Sequence, residues 1–326
     1  MKICISRIDK MGDLILTLPV IKSIKKHNPS AKIDIYVSNR NIKIIKNFKY
    51  VNKIFNVQEK QHFGDEKYDY FLNFSPGWRS FFLCLFSKSL KKANVIYTSR
   101  YNKKIYSKLL IKILSRIFFS QTLIVNRISK FHNNETIHQT EVMYELLNKC
   151  NIYIDKNTNL EKFLPKSKTL VAPKKICVIH LSSKWLNKYY SEKDFLNLVL
   201  SLENKYIVAL TSDETTENKF NLIFDTFPII DNKQFKLYNS INQTTIFKDL
   251  QFYNWVQTIY SANLVITPEC GCSHIASVCK IHSKIIYDPE NKPEMIHQEY
   301  HPWKSSYEKF IFNKNNLNSE LIKNLY

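Results

Sequence analysis

Two short segments concentrate the residues that could do chemistry. Arg7-Ile8-Asp9-Lys10-Met11-Gly12-Asp13 follows an apolar opening run and carries two carboxylates and a guanidinium. Thr267-Pro268-Glu269-Cys270-Gly271-Cys272-Ser273-His274 follows the apolar run Leu264-Val265-Ile266 and carries a carboxylate, two thiols, a hydroxyl and an imidazole. Glycine is scarce, four in 326 residues, yet Gly12 and Gly271 both sit just after such runs. That placement predicts a need for backbone freedom at two strand-to-helix junctions. At such junctions an α/β sheet presents amide N–H groups to a ligand at a helix N-terminus.

Each residue has a chemical and a structural reading. Asp13, beside Gly12, can accept a proton from a substrate hydroxyl, or simply cap a helix. Gly271-Cys272-Ser273-His274 opens a short helix whose exposed N–H groups and positive end would hold a phosphate. No G-x-x-x-x-G-K-[ST] loop exists to do this instead. Glu269 is placed to accept hydrogen bonds from sugar hydroxyls, or is a surface acid. His274 is a catalytic candidate or a core histidine. Cys270 and Cys272 with His274 invite a metal reading, but zinc sites space their cysteines by two to four residues and need four ligands. No second cysteine pair lies nearby, so no metal is expected. A third segment, Ser182-Ser183-Lys184 with Lys188, offers hydroxyls and ammonium groups that would neutralise a diphosphate leaving group.

The elements that must position these groups read as alternating strands and helices. Lys2–Ser6, Ile33–Val37, Lys53–Val57 and Tyr68–Phe74 read as strands. Ser80–Leu90, Lys103–Phe119 and Glu135–Cys150 read as helices. In the first helix Leu14, Leu18, Ile21 and Ile24 share a face, and Pro19 predicts that the regular helix starts near Thr17. Asp, Asn, Lys and Pro accumulate over Asn151–Ala172, which reads as a linker. The pattern then restarts with strands Lys175–His180, Tyr206–Leu210, Asn263–Thr267 and Ser283–Tyr287. Its helices are Ser191–Leu202 with Ser191 as N-cap, a segment from about Thr216, Phe247–Ser261, Cys272–Cys279 and Asn318–Tyr326. This predicts two α/β halves, 1–160 and 161–326, each a doubly wound and mostly parallel sheet, with the final helix a candidate to pack back on the first half. A cleft lined by strand C-termini is expected between them.

Composition narrows the class. At this length each half can bury a core of its own. No run of 18 apolar residues exists, and the N-terminus has no signal-peptide pattern. The seven cysteines, scattered through apolar runs, read as reduced cytosolic thiols. The net charge is +20, and from Tyr70 to Asn134 there is no Asp or Glu. That stretch carries Arg79, Lys88, Lys91, Lys92, Arg100, Lys103, Lys104, Lys108, Lys112, Arg116, Arg127 and Lys130. Such a block favours an anionic partner: a phosphate-rich glycolipid, an acidic membrane surface or a nucleic acid. A merely solvated basic face is the bland alternative. In Lys103–Phe119 basic and apolar residues interleave as in an amphipathic surface helix, although the apolar face is equally what a core requires.

As a set, the motifs resemble the bacterial heptosyltransferases of glycosyltransferase family 9. The resemblance is carried by R-x-D-x-x-G-D-x-x-L-T-x-P at Arg7, Asp9, Gly12, Asp13, Leu16, Thr17 and Pro19, and by T-P-E-C-G-C-S-H-I-A at 267–276. His180, Ser182, Ser183 and Lys188-Tyr189-Tyr190 match the family's middle motif. The resemblance implies a GT-B fold of two Rossmann-like domains, acceptor domain first and nucleotide-sugar domain second. It implies metal-free, inverting transfer of heptose from ADP-heptose to the Kdo or heptose of the lipopolysaccharide inner core, by a cytoplasmic enzyme resting on the inner membrane. No separate cofactor is implied. Asp13 would be the general base, with Arg7, Gly12, Arg79, Arg100 and Lys103 on the acceptor side. Ser182, Ser183 and Lys188 would contact the diphosphate, the segment from Cys270 to His274 the donor, and Glu214 or Glu217 the ribose. Glu269 stands where the family has Asp, and Cys270 where it has Thr, which puts the identity of the donor sugar in question.

The same residues fit other functions. A relative acting on another nucleotide sugar or acceptor, in capsule or protein glycosylation, fits the same motifs. A nucleic-acid-binding protein would use the basic block, but no RNP, zinc-finger or helix-turn-helix signature accompanies it. A catalytically dead scaffold would not need to keep Asp13 and Lys188.

Overall fold

The computed structural model describes residues 1–59, 66–98, 105–160, 164, 170–186, 190–212, 216–235, 237, 240–313 and 317–323, with backbone alone for 105, 322 and 323. The chain divides into two compact units, Met1–Phe163 with Gln298–His301, and Leu164–His297 with Pro302–Tyr326.

The first unit runs β1 (Lys2–Ser6), α1 (Met11–His27), β2 (Lys32–Val37), α2 (Asn39–Ile45), β3 (Lys53–Asn56), β4 (Tyr68–Asn73), α3 (Trp78–Leu85), β5 (Ser89–Tyr97), α4 (Ile105–Phe118), β6 (Gln121–Val125), α5 (Arg127–His132) and α6 (Gln139–Lys149). Its six parallel strands are ordered β3-β2-β1-β4-β5-β6, the doubly wound order in which the chain reverses direction at β1. β1 is central because Ile3, Cys4 and Ile5 are fully buried and pair on both sides, Ile3 opposite Ile33 and Tyr70. α1 and α6 pack together, while α3 and α4 share a cluster with the strands in which Phe81 stacks on Phe119 at 4.9 Å.

The second unit runs β7 (Lys175–His180), α7 (Glu192–Glu203), β8 (Tyr206–Ser212), α8 (Asn221–Thr226), β9 (Ile229–Ile230), α9 (Asn232–Phe235), β10 (Thr245–Lys248), α10 (Phe252–Tyr260), β11 (Leu264–Pro268), α11 (Gly271–Cys279), β12 (Ser283–Tyr287), α12 (Pro293–Tyr300), β13 (Tyr307–Ile311) and α13 (Leu317–Lys323). Its seven parallel strands are ordered β13-β12-β11-β7-β8-β10-β9, with the reversal between β7 and β11. Every residue of β8, β11 and β12 is buried, as expected of strands covered on both faces.

Several expected boundaries are corrected. α1 begins at Met11 and carries Pro19 inside it. A proline there loses one ladder bond, at a cost of about 3 kcal/mol, which the burial of Leu14, Leu16, Leu18, Ile21 and Ile24 outweighs. Ser89 and Leu90 belong to β5, not to the preceding helix, and Phe247 lies in β10, not in α10. The 135–150 helix begins only at Gln139, after a separate α5. Periodicity gives no sign of β5, β6, β13 and α12, whose apolar runs are short or interrupted by lysine. Leu317 and Leu321 of α13 join the second unit's core, and the buried Lys284 of β12 donates to the Leu321 carbonyl at 2.7 Å. Gly12 and Gly271 are not conformational specials either: among the described residues no glycine has a positive φ.

Candidate functional site

In the first unit the chain leaves β1 at Ser6 and enters α1 at Met11 after four intervening residues, which puts Asp13 in the first helical turn. One Asp13 carboxylate oxygen accepts from the Lys10 backbone N–H at 3.2 Å; the other accepts from the Arg7 guanidinium at 3.1 Å. The capping reading and the chemical reading therefore coexist: Asp13 reaches back to the helix start and is still partly open, at 18% exposure. A carboxylate at a helix N-terminus is favoured by the dipole and by the unpaired amides.

Arg7, expected on the acceptor side, is enclosed within its own unit. Its side chain is 1% exposed. It donates to the Asp13 carboxylate, to the Asp13 carbonyl at 3.2 Å, to the Phe74 carbonyl and to Gln139 Oε1 at 3.2 Å, with Asp9 at 3.8 Å. A guanidinium so enclosed is spent on its own unit and fixes the Asp13 rotamer. The network continues. Gln139 Oε1 also accepts from the Tyr97 hydroxyl at 2.8 Å, and Gln139 donates to Glu299 at 2.9 Å. Glu299 is paired with Arg127, and burial pushes its carboxyl up to about 7 against the pull of that arginine. Sequence reading had no signal for this, because Gln139 and Glu299 lie 160 residues apart. Gly12 sits beside Asp13 in the same helical turn. Arg79 lies elsewhere, on α3, where it donates to the Val57 carbonyl and lines a cavity of about 380 Å³ with Tyr36, Asn56 and Phe82. Arg100 and Lys103 lie outside the described residues.

In the second unit three loops at strand C-termini meet. After β7, Ser182 accepts from Lys184 N–H at 3.4 Å and its carbonyl from Trp185 N–H at 2.9 Å, closing a tight turn with Ser182 and Ser183 half-buried. That turn swings Lys184 across to β11, where its ammonium bonds the Glu269 carboxylate at 2.9 Å and the Glu269 carbonyl. Glu269 is therefore no isolated surface acid; it is held by a cation from the neighbouring loop. Lys188 and Glu214 lie outside the described residues. Glu217 follows β8 and pairs with Lys248 at 2.6 Å.

α11 starts at Gly271 with Cys270 as its N-cap in extended backbone. A thiol is a weak acceptor, so the first-turn amides stay available to an anion. The side chains of Cys272, Ser273 and His274 are 1%, 1% and 2% exposed. Their side chains belong to the interior, so what these residues can present to an anion is backbone N–H, the groups on which the expected phosphate contact rests. Ser273 donates to the Cys270 carbonyl at 2.8 Å, and Cys270 Sγ lies 3.3 Å from Thr267 Oγ1. Among the described residues no group of three or more His, Cys, Asp or Glu side chains is arranged to hold a metal ion. All seven cysteines are free thiols.

Beside this turn lies a cavity of about 420 Å³, lined by Lys184, Trp185, Tyr190, Glu269, Tyr287 and Asp288 among others. Among the described residues, Glu269 is the one expected donor residue that lines it. Trp185, Tyr287 and Asp288 are additions, legible only as residues after strand β7 and at the end of strand β12. The Tyr287 hydroxyl is buried with no hydrogen-bond partner among the described residues.

No family model matches the chain, and none of the curated proteins matches it in sequence. Solved structures do match. The heptosyltransferase WaaC of E. coli with ADP is 13% identical, with a TM-score of 0.72 over 100% of this chain and 98% of that one. The glycosyl transferase family 9 structure from Veillonella parvula DSM 2008 is 13% identical, with a TM-score of 0.71 over 99% and 88%. The E. coli ADP-heptose lps heptosyltransferase II is 12% identical, with a TM-score of 0.63 over 100% and 97%. This chain therefore has the two-unit α/β GT-B fold found in the heptosyltransferases of glycosyltransferase family 9.

Proposed function

We propose that the protein is an inverting, metal-independent glycosyltransferase that moves a heptose from ADP-heptose to the Kdo or heptose of the lipopolysaccharide inner core. The observation that carries this reading is Asp13. It is a partly open carboxylate oriented by a buried arginine, at the strand-to-helix junction of a unit whose fold is that of heptosyltransferases. Asp13 takes the acceptor hydroxyl proton as the anomeric carbon is attacked. In the second unit the first-turn amides of α11, with Ser182, Ser183 and Lys188, carry the charge of the departing ADP. Glu269, held by Lys184, accepts from donor-sugar hydroxyls, and Glu217 is a ribose contact. The acceptor is the lipid A–core glycolipid, and the enzyme works at the cytoplasmic surface of an anionic membrane.

The test is mass spectrometry of lipopolysaccharide from a strain lacking the protein. Loss of one heptose from the inner core is expected, and an unaltered lipopolysaccharide overturns the acceptor. In vitro, saturating ADP should raise the melting temperature, the ligand contributing about 2.7 kcal/mol at a hundredfold excess over Kd. Stabilisation by a nucleic acid and not by ADP would replace the transferase reading.

A further inference from the structure

α4 is built inside out. At 3.6 residues per turn Tyr106, Leu109, Leu110, Ile113 and Ile117 fall on one face, and that face is turned to solvent, with Tyr106 90% and Ile117 66% exposed. What α4 buries is modest: Ile111 and Ser115, with Leu114 packed against the Phe81 and Phe119 cluster. On the same side of the sheet α3 and its C-cap expose Phe82 and Phe86, stacked at 5.9 Å. A contiguous apolar stripe on a solvent-facing helix is costly to leave in water and marks an interaction surface.

The charge around the stripe says what covers it. Lys112 and Arg116 run along one flank, and the sequence holds no Asp or Glu from Tyr70 to Asn134. A second copy related by a two-fold axis would set these cations against themselves, with no carboxylate in the same stretch of the chain to pair them. A nucleic acid would use the cations and leave the stripe exposed. An anionic bilayer satisfies both features: the apolar face enters the acyl boundary while lysine and arginine stay with the phosphates. We propose that the exposed face of α4 is a membrane-docking surface for anionic phospholipid, inserting Leu109, Leu110, Ile113 and Ile117 below the headgroups. This deepens the proposed membrane-borne acceptor. It is measured without donor or acceptor, so its failure and that of the transferase reading are separable.

The experiment is co-sedimentation of the full chain with vesicles of phosphatidylcholine, with and without phosphatidylglycerol. Binding is expected only with phosphatidylglycerol, and it should weaken as salt rises. Ile113→Asp with Ile117→Asp should reduce partitioning by more than about tenfold, and Lys112→Glu with Arg116→Glu comparably. Leu200→Asp, at an exposed leucine of the second unit, should bind as the parent does. Thermal melts and circular dichroism should stay unchanged, because Ile113, Arg116 and Ile117 are exposed in the fold and Lys112 is partly so. Vesicle binding unaffected by either α4 pair, or no binding at low salt, overturns the proposal. So does a parent dimer in analytical ultracentrifugation that Ile113→Asp with Ile117→Asp converts to monomer.

Discussion

Asp13 and Gly271 are the two residues on which the proposed chemistry turns, and the structure separates their chemical and structural contributions. Asp13→Asn removes the base but keeps an oxygen for Arg7 or for the Lys10 amide. It should cost no more than about 2 kcal/mol of stability, leave ADP-induced stabilisation intact and lower kcat by about 10²–10⁴. Near-parental kcat would show that another group takes the proton. Gly271 stands at the first position of α11 with a φ that any residue adopts. Gly271→Val should therefore change stability by less than about 1 kcal/mol. Its methyl groups would nevertheless crowd an anion on the first-turn amides, so ADP should no longer shift the melting temperature. Undiminished ADP binding would place the diphosphate elsewhere.

At the scale of elements, the segment Gln298–His301 is tied to the first unit by Glu299, which meets Gln139 of α6 and Arg127 of α5. Burial of this carboxyl has a pH signature. Its pKa rises from 4.5 in the unfolded chain to about 7 in the fold, so between those values the folded state holds a proton that the unfolded state has lost. Stability from this group is therefore full below pH 4.5, falls by up to about 3 kcal/mol as pH rises through about 7, and is level above. Glu299→Gln should remove that slope, so that the parent-minus-variant difference in unfolding free energy declines across the same window. A pH-independent difference would mean that Arg127 keeps Glu299 ionised throughout. His138 of the same network bonds the His301 carbonyl at 3.0 Å and is untouched by the substitution.

At the scale of the whole molecule, each unit supplies a distinct part of the proposed reaction: a base at the end of β1, and an anion site with a caged acid at the ends of β7 and β11. Neither part contains a metal-ligand set among the described residues. The proposed mechanism places ADP charge on amides and lysines, so turnover in excess EDTA should equal turnover with added Mg²⁺. A loss in EDTA restored by Mg²⁺ or Mn²⁺ would overturn the metal-free mechanism.

The sequence by itself determined the alternation of strands and helices, the strand-to-helix junctions at Asp13 and Gly271, and the acid-free basic stretch. Each rests on local periodicity, capping chemistry or composition, which act over a few residues. Tertiary structure decided the rest. Pro19 sits inside α1 because packing outweighs a local preference. Arg7 turned inward because Phe74, Gln139 and Asp13 converge on it from three parts of the chain. Lys184 found Glu269 across 85 residues. Cys272 and His274 went to the core because α11 is covered on nearly every side. The face of α4 is the clearest case. Its pattern is that of any amphipathic helix, and periodicity says which residues share a face but not whether that face meets a sheet or water. Only the placement of neighbouring strands and helices assigns that, and here it left the apolar side open.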